Sequence, residues 1–224
     1  MHVELAELLR CPNRHTESWL VLAADRTEAR VVLDGTLGCP ICGAEYAIRD
    51  GVTYFAAPSE MATAVVDAVT SLESGDGALR LAALLNVSDA AGTVALVGVP
   101  PATARALQAL VPMRCLVVDP PTLSGMVSVL EAGFAPLAVL YCDGLLPLPR
   151  AGLDGVLVEH PDPRVMSSAV AALRPGGRLV APVTVDVPME TAELARDAVH
   201  WVAERRADSI APTDAPLVQL RRRR

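Results

Sequence analysis

Lysine is absent from this 224-residue chain; all 19 of its basic residues are arginine. Against 26 acidic residues the net charge is −7, and setting aside the four arginines at Arg221–Arg224 leaves the body at −11. So acidic a body excludes a general phosphate-tracking surface, which needs dense positive charge. Aromatic residues are scarce at 3%, which removes the stacking platforms of many single-strand nucleic-acid binders. Apolar runs are short of the ~18 residues that a membrane-spanning helix needs, so no membrane association is expected. The start, Met1–Glu7, is acidic and lacks the basic and apolar regions of a secretory signal. These absences point to a soluble, cytoplasmic protein. The tail Arg221–Arg224 reads as a solvated terminus, or else as a tether to RNA or an acidic partner.

What is abundant is aliphatic mass: 52% of residues are hydrophobic, ample for a packed core. The five cysteines are an odd number, and three of them, Cys11, Cys39 and Cys42, fall within the first 57 residues. That usage suits a reducing compartment and a metal better than disulfides. Cys39-Pro40-Ile41-Cys42 is a Cys-x2-Cys knuckle whose Pro and flanking Gly43 permit a tight turn. Cys11 and His15 stand on an earlier loop, with β-like runs at Ser18–Leu22 and Ala29–Leu33 between the two pairs. Together they make a closed Cys3His set, suited to structural zinc and leaving no open position for catalysis. The bland alternative is a decayed site in which His15 is an ordinary loop residue.

Within an N-terminal domain expected over 1–57, roughly residues 5–57 resemble the small zinc-ribbon activators of tRNA, rRNA and protein methyltransferases. The shared residues are Leu8-Leu9-Arg10-Cys11-Pro12, Gly35-x-Leu37-x-Cys39-Pro40-x-Cys42-Gly43 and Tyr46-x-Ile48-x-Asp50-Gly51-Val52. The family usually has a second cysteine where this chain has His15. The resemblance implies a protein partner whose apolar surface the ribbon covers.

Residues 58–92 read as connector helices, with Ser59 as an N-cap, one helix over Met61–Leu72 and another over Ala78–Leu85. From 93 to 220, short Val/Leu-rich strands alternate with helices, the pattern of an α/β, doubly wound, mainly parallel Rossmann-like sheet. Strands are expected at Val94–Val97, Cys115–Val118, Leu137–Tyr141, Gly155–Val158 and Arg178–Val183, with a last one at Pro216–Leu220. Helices are expected at Ala102–Leu110, Leu123–Ala132, Arg164–Leu173 and Glu190–Arg206. Ligands in such folds bind at the carboxyl ends of the strands. Asp119, Asp143 and the pair Glu159-His160 stand there, although each acid also suits ordinary turn chemistry.

About residues 90–185 resemble the class I S-adenosylmethionine-dependent methyltransferases. The residues that carry the likeness are Leu116-Val117-Val118-Asp119-Pro120, Asp143–Pro149, Leu153–Val158 and Ala172-Leu173-Arg174-Pro175-Gly176-Gly177-Arg178-Leu179-Val180. The resemblance implies a cofactor held by Gly98, Asp119 and Asp143, with His160 as a base beside Glu159 if the chain is active. It also implies a glycine-rich turn after the first strand, where this sequence has Val97-Gly98-Val99-Pro100-Pro101-Ala102. Leu96 replaces an acid, Pro100 replaces a glycine, and two prolines remove two backbone donors. The expectation is a degenerate, non-catalytic protein that binds a methyltransferase, another complex or a second copy of itself. The alternative is an active methyltransferase with an atypical loop. A long final helix in place of the family's closing antiparallel strands is a second expected departure.

Overall fold

A computed structural model describes residues 1–57, 75–87, 92–123 and 135–207. Expected elements at Ser59, Met61–Leu72, Pro216–Leu220 and the Arg221–Arg224 tail lie outside these residues, as does nearly all of the expected helix Leu123–Ala132.

The first 57 residues form a short helical turn α1 (Val3–Ala6) and four strands, β1 (Val21–Glu28), β2 (Val31–Gly38), β3 (Glu45–Arg49) and β4 (Val52–Tyr54). After them come α2 (Gly75–Leu85), β5 (Thr93–Val97), α3 (Pro101–Leu110), β6 (Arg114–Val118) and β7 (Leu137–Tyr141). The chain continues through β8 (Leu153–Val158), α4 (Pro163–Ala172), β9 (Leu173–Pro182), β10 (Thr191–Arg196) and β11 (His200–Arg205).

All eleven described strands belong to one sheet, ordered β1-β2-β3-β4-β7-β6-β5-β8-β9-β11-β10. Strands β4 to β9 in that order are parallel to their neighbours, and both ends are antiparallel. This is an α/β, doubly wound, mainly parallel sheet with a β-rich N-terminal part. Strand β4 joins the halves: Val52, Thr53 and Tyr54 pair in parallel with Val139, Leu140 and Tyr141.

Side-chain alternation explains why the central strands are continuous apolar runs. Val94 and Leu96 face a layer containing Leu81 and Leu85 of α2 and Ala104 and Leu107 of α3. Ala95 and Val97 face the other layer, where Val165 and Ala169 of α4 pack together with Leu5, Leu9, Leu37 and Ile48 of the N-terminal part. Strands covered on both faces need apolar residues at every position. Guanidinium groups finish two helices: Arg178 donates to the carbonyls of Ala83 and Leu84, and Arg205 to those of Ala171 and Leu173. A cation at a helix C-terminus satisfies carbonyls that have no partner within the helix.

The helix expected over Glu190–Arg206 is instead a β-hairpin, so the chain does carry an antiparallel pair after β9. Good helix formers such as Ala192, Glu193 and Ala195 favour a helix locally, and tertiary packing overrides them. Asp197 sets the turn by accepting from the backbone N–H groups of Val199 and His200, each at 2.8 Å. Strand β11 then inserts between β9 and β10 and buries His200, Trp201, Val202 and Ala203. Trp201 is fully buried, and its indole N–H donates to the Val185 carbonyl at 2.9 Å. Trp201→Ala is expected to lower unfolding free energy by about 3–5 kcal/mol in denaturant titrations.

Candidate functional site

Two places in the fold gather chemistry. The first lies at the tips of the N-terminal strands, where Cys11, His15, Cys39 and Cys42 bring one ligand atom each to within 4.8 Å of one another. The Cys11 and Cys42 sulfurs are 3.7 Å apart, and the Cys39 sulfur is 3.4 Å from His15 Nε2. A tetrahedron with Zn–S near 2.3 Å and Zn–N near 2.0–2.1 Å has edges of about 3.8 and 3.6 Å. The residues therefore fit one tetrahedral ion. The surroundings prepare them for it. His15 Nδ1 lies 2.6 Å from the Thr16 carbonyl, which can only accept, so that nitrogen carries the proton and Nε2 presents its lone pair. Asn13 donates to the Cys42 sulfur at 3.4 Å and, with the Ala44 backbone N–H, brings that thiol down to about 6. Burial pushes the Cys11 thiol up, and the Tyr46 hydroxyl lies 3.4 Å from its sulfur. Asn13 carries no motif of its own, and Tyr46 stands in the shared motif with no role at the metal site expected of it.

The second place is a cleft of about 240 Å³ at the carboxyl ends of β5, β6 and β7, lined by Val97, Gly98, Asp119, Cys142, Asp143, Gly144, His160, Asp162, Arg164 and Val165. Gly98, Asp119, Asp143 and His160 thus share one rim. Their chemistry is largely committed elsewhere. Gly98 sits at φ +79°, and its N–H donates to the Val118 carbonyl at 2.9 Å. The ring of His160 packs so closely on it that a Cβ at position 98 would lie 2.5 Å from His160 Cδ2. Pro100 and Pro101 have no N–H, and the Thr103 N–H returns to the Pro100 carbonyl at 3.0 Å. Pro101 is comfortable as a first helical residue, so the helix forms without a donor-rich turn before it.

Asp119 adopts φ +47°, a left-handed conformation that aspartate tolerates better than most residues. Its Oδ1 accepts from the Cys142 N–H at 2.7 Å, tying β6 to the end of β7. Burial raises its carboxyl to about 6, against the pull of that N–H. Asp143 is exposed and pairs with Arg164 at 3.3 Å, so the side chain of α4 reaches across the mouth of the cleft. Position 164 was expected only as the start of a helix.

Glu159 and His160 have different surroundings. They follow β8 on consecutive residues and therefore leave the sheet on opposite faces. Glu159 accepts from His200 at 2.7 Å, and His200 Nδ1 in turn accepts from Arg80 at 3.1 Å. Arg80 also pairs with Asp197. Because an arginine can only donate, His200 Nδ1 is the acceptor and Nε2–H points to Glu159. This network ties α2 to the β10–β11 turn, whereas His160 Nε2 is buried and has no hydrogen-bond partner among the described residues.

Asp119 yields a pH signature. Its folded value near 6 lies above the ordinary carboxyl value, so its contribution to stability is complete below about pH 4 and lost as pH rises through 6. Asp119→Asn keeps an acceptor for Cys142. It is expected to remove a stability loss on the order of 1–2 kcal/mol between pH 4 and 7, measured by chemical denaturation across pH.

No family model and no curated protein matches the chain. Solved structures do. The Haloferax volcanii complex of the Trm112 methyltransferase activator with a candidate methyltransferase is 22% identical over 51% of this chain and 53% of that one, with a TM-score of 0.41. TrmN from Thermus thermophilus is 16% identical over 65% of this chain and 52% of its own, with a TM-score of 0.48. A candidate S-adenosyl-L-methionine-dependent methyltransferase from Methanococcus maripaludis is 11% identical over 67% of this chain and 92% of that one, with a TM-score of 0.47. The chain spans about half the length of the first two. The doubly wound fold rests on the strand order itself.

Proposed function

We propose that this chain is a non-catalytic, methyltransferase-like protein that serves as a binding or accessory subunit of a protein complex. The observation that carries this reading is the turn after β5. Its first N–H is spent on the sheet, its next two prolines have none, and the His160 ring lies against Gly98 where a cofactor would need close approach. Each lost cofactor hydrogen bond is worth ~0.5–1.5 kcal/mol net. The cleft is also small: 240 Å³ lies below the ~300–1,000 Å³ of ordinary small-molecule pockets.

Cys11, His15, Cys39 and Cys42 hold a structural zinc in this reading. A zinc ion there would lock the Cys39–Cys42 turn to the Cys11–His15 loop and take no part in chemistry. The apolar face of the N-terminal part is already covered by the chain's own sheet and α4. A protein partner, whether a methyltransferase, another complex or a second copy, therefore docks on some other surface.

An active S-adenosylmethionine-dependent methyltransferase remains the second reading. One observation favours it: His160 Nε2 has no hydrogen-bond partner among the described residues and stands on the rim of the cleft with Asp119 and Asp143.

Calorimetry of the purified chain with S-adenosylmethionine separates the two. The expected outcome is no binding heat at ligand concentrations up to millimolar, and micromolar binding overturns the non-catalytic reading. Metal analysis is expected to find one zinc per chain, lost together with several degrees of thermal stability in Cys39→Ser. Full stability without metal would remove zinc from the account.

A further inference from the structure

A second cavity of about 350 Å³ lies at the seam where the N-terminal part meets α4 and the loop after β7. It is more polar than the first cleft, and its walls include Arg10, Glu17, Arg150 and Ser168. Arg10 is 7% exposed, a deeply buried guanidinium. Its Nη1 donates to the carbonyls of Glu7 at 3.0 Å and Leu9 at 3.1 Å, and its plane rests 3.9 Å over the Trp19 ring. The group is therefore held in one orientation before anything binds.

That orientation leaves donors unused. Arg10 Nε is buried and has no hydrogen-bond partner among the described residues. Its ion-pair partner is the half-exposed Glu17, whose carboxylate lies 3.5 Å from Nε, a pairing of little energetic weight. A buried cation so weakly paired is costly, and an anion able to accept from its fork would relieve the cost. Across the cavity, Arg150 is exposed and makes no ion pair among the described residues. Ser168 Oγ accepts from the Leu146 N–H at 2.9 Å, which leaves its own hydroxyl hydrogen to donate. Pro12 and Leu148 add apolar wall.

We infer that this seam cavity is a binding site for a small phosphate monoester, gripped by Arg10, Arg150 and Ser168. Donors on three separate residues of one cavity wall suit a three-oxygen tetrahedral anion better than a planar carboxylate. The volume leaves room for an organic substituent against Pro12 and Leu148. Arg10 comes from the N-terminal part, Arg150 from the turn before β8 and Ser168 from α4, so an occupied site would clamp the two halves together. Glu17 competes for Arg10 and weakens the site. This inference stands apart from the reading of the first cleft, which lies at the other end of α4.

Calorimetry on the full-length chain tests it with inorganic phosphate, adenosine monophosphate, adenosine and acetate. The two phosphate ligands are expected to bind, and adenosine and acetate are not. Arg150→Gln, an exposed change, is expected to weaken binding by about tenfold or more while leaving the melting temperature in place. Glu17→Gln is expected to tighten binding severalfold, and it provides an independent check should Arg150→Gln fold poorly. The inference is overturned if no phosphate ligand binds at millimolar concentration, if acetate binds as well as phosphate, or if neither substitution changes the affinity.

Discussion

Three residues hold the molecule's two halves in one sheet. Val52, Thr53 and Tyr54 pair with β7, and the N–H groups of Phe55 and Ala56 then both donate to the Tyr141 carbonyl at 2.8 and 3.1 Å. The rings of Tyr54 and Tyr141 stack above this junction with centroids 5.5 Å apart. Beneath it, the fully buried Met1 places its amino group on the carbonyls of Val32 and Gly51. With β4 in place, β7 is an interior strand and its Ala138 and Leu140 are covered by the N-terminal part. Without it, β7 would be an exposed, flat, apolar edge, the kind of strand that pairs with other chains. The outer strands that remain, β1 and β10, each carry a bulge, at Asp25 and Leu194, along with charged side chains. Both devices blunt an edge against further pairing.

The same continuity shapes the candidate sites. The loop that begins at Arg10 serves both places: Cys11 and His15 belong to the Cys3His set, and Arg10, Cys11 and His15 also line the seam cavity. The parallel strands bring Gly98, Asp119, Asp143 and His160 to a common rim, as any doubly wound sheet would. What distinguishes this rim is how its groups are occupied. Asp119 holds the end of β7, Asp143 holds Arg164, and the His160 ring fills the space above Gly98. In the reading proposed above, these contacts compete with a ligand for the groups of the rim.

Much of this was legible in the sequence, for physical reasons that differ from place to place. The Cys-x2-Cys knuckle is a local geometry, so its readability follows from spacing, and the Cys11–His15 pair becomes meaningful beside it. Strands buried on both faces announce themselves as apolar runs, and those at Val94–Val97 and Leu137–Tyr141 stand within a residue of expectation. The proline-bearing turn could be read directly, because proline's missing N–H is a property of the residue and not of its surroundings. The hairpin at β10 and β11 was hidden by alanine and glutamate, whose local preference for helix loses to insertion beside β9. Glu159 and His160 were both expected at the carboxyl end of β8; strand alternation turns His160 to the cleft and Glu159 to His200. The seam cavity left no sequence signal, since Arg10, Arg150 and Ser168 come from three distant segments and only the sheet's closure assembles them.

The central claim is that the rim around Gly98 is closed to S-adenosylmethionine by its own side chains. Amide chemical shifts of Gly98, Gly144 and Cys142, followed by NMR while S-adenosylmethionine is added to millimolar concentration, examine that rim directly. The account predicts that these resonances do not move, whereas saturable shifts centred on Gly98 and Cys142 would contradict it.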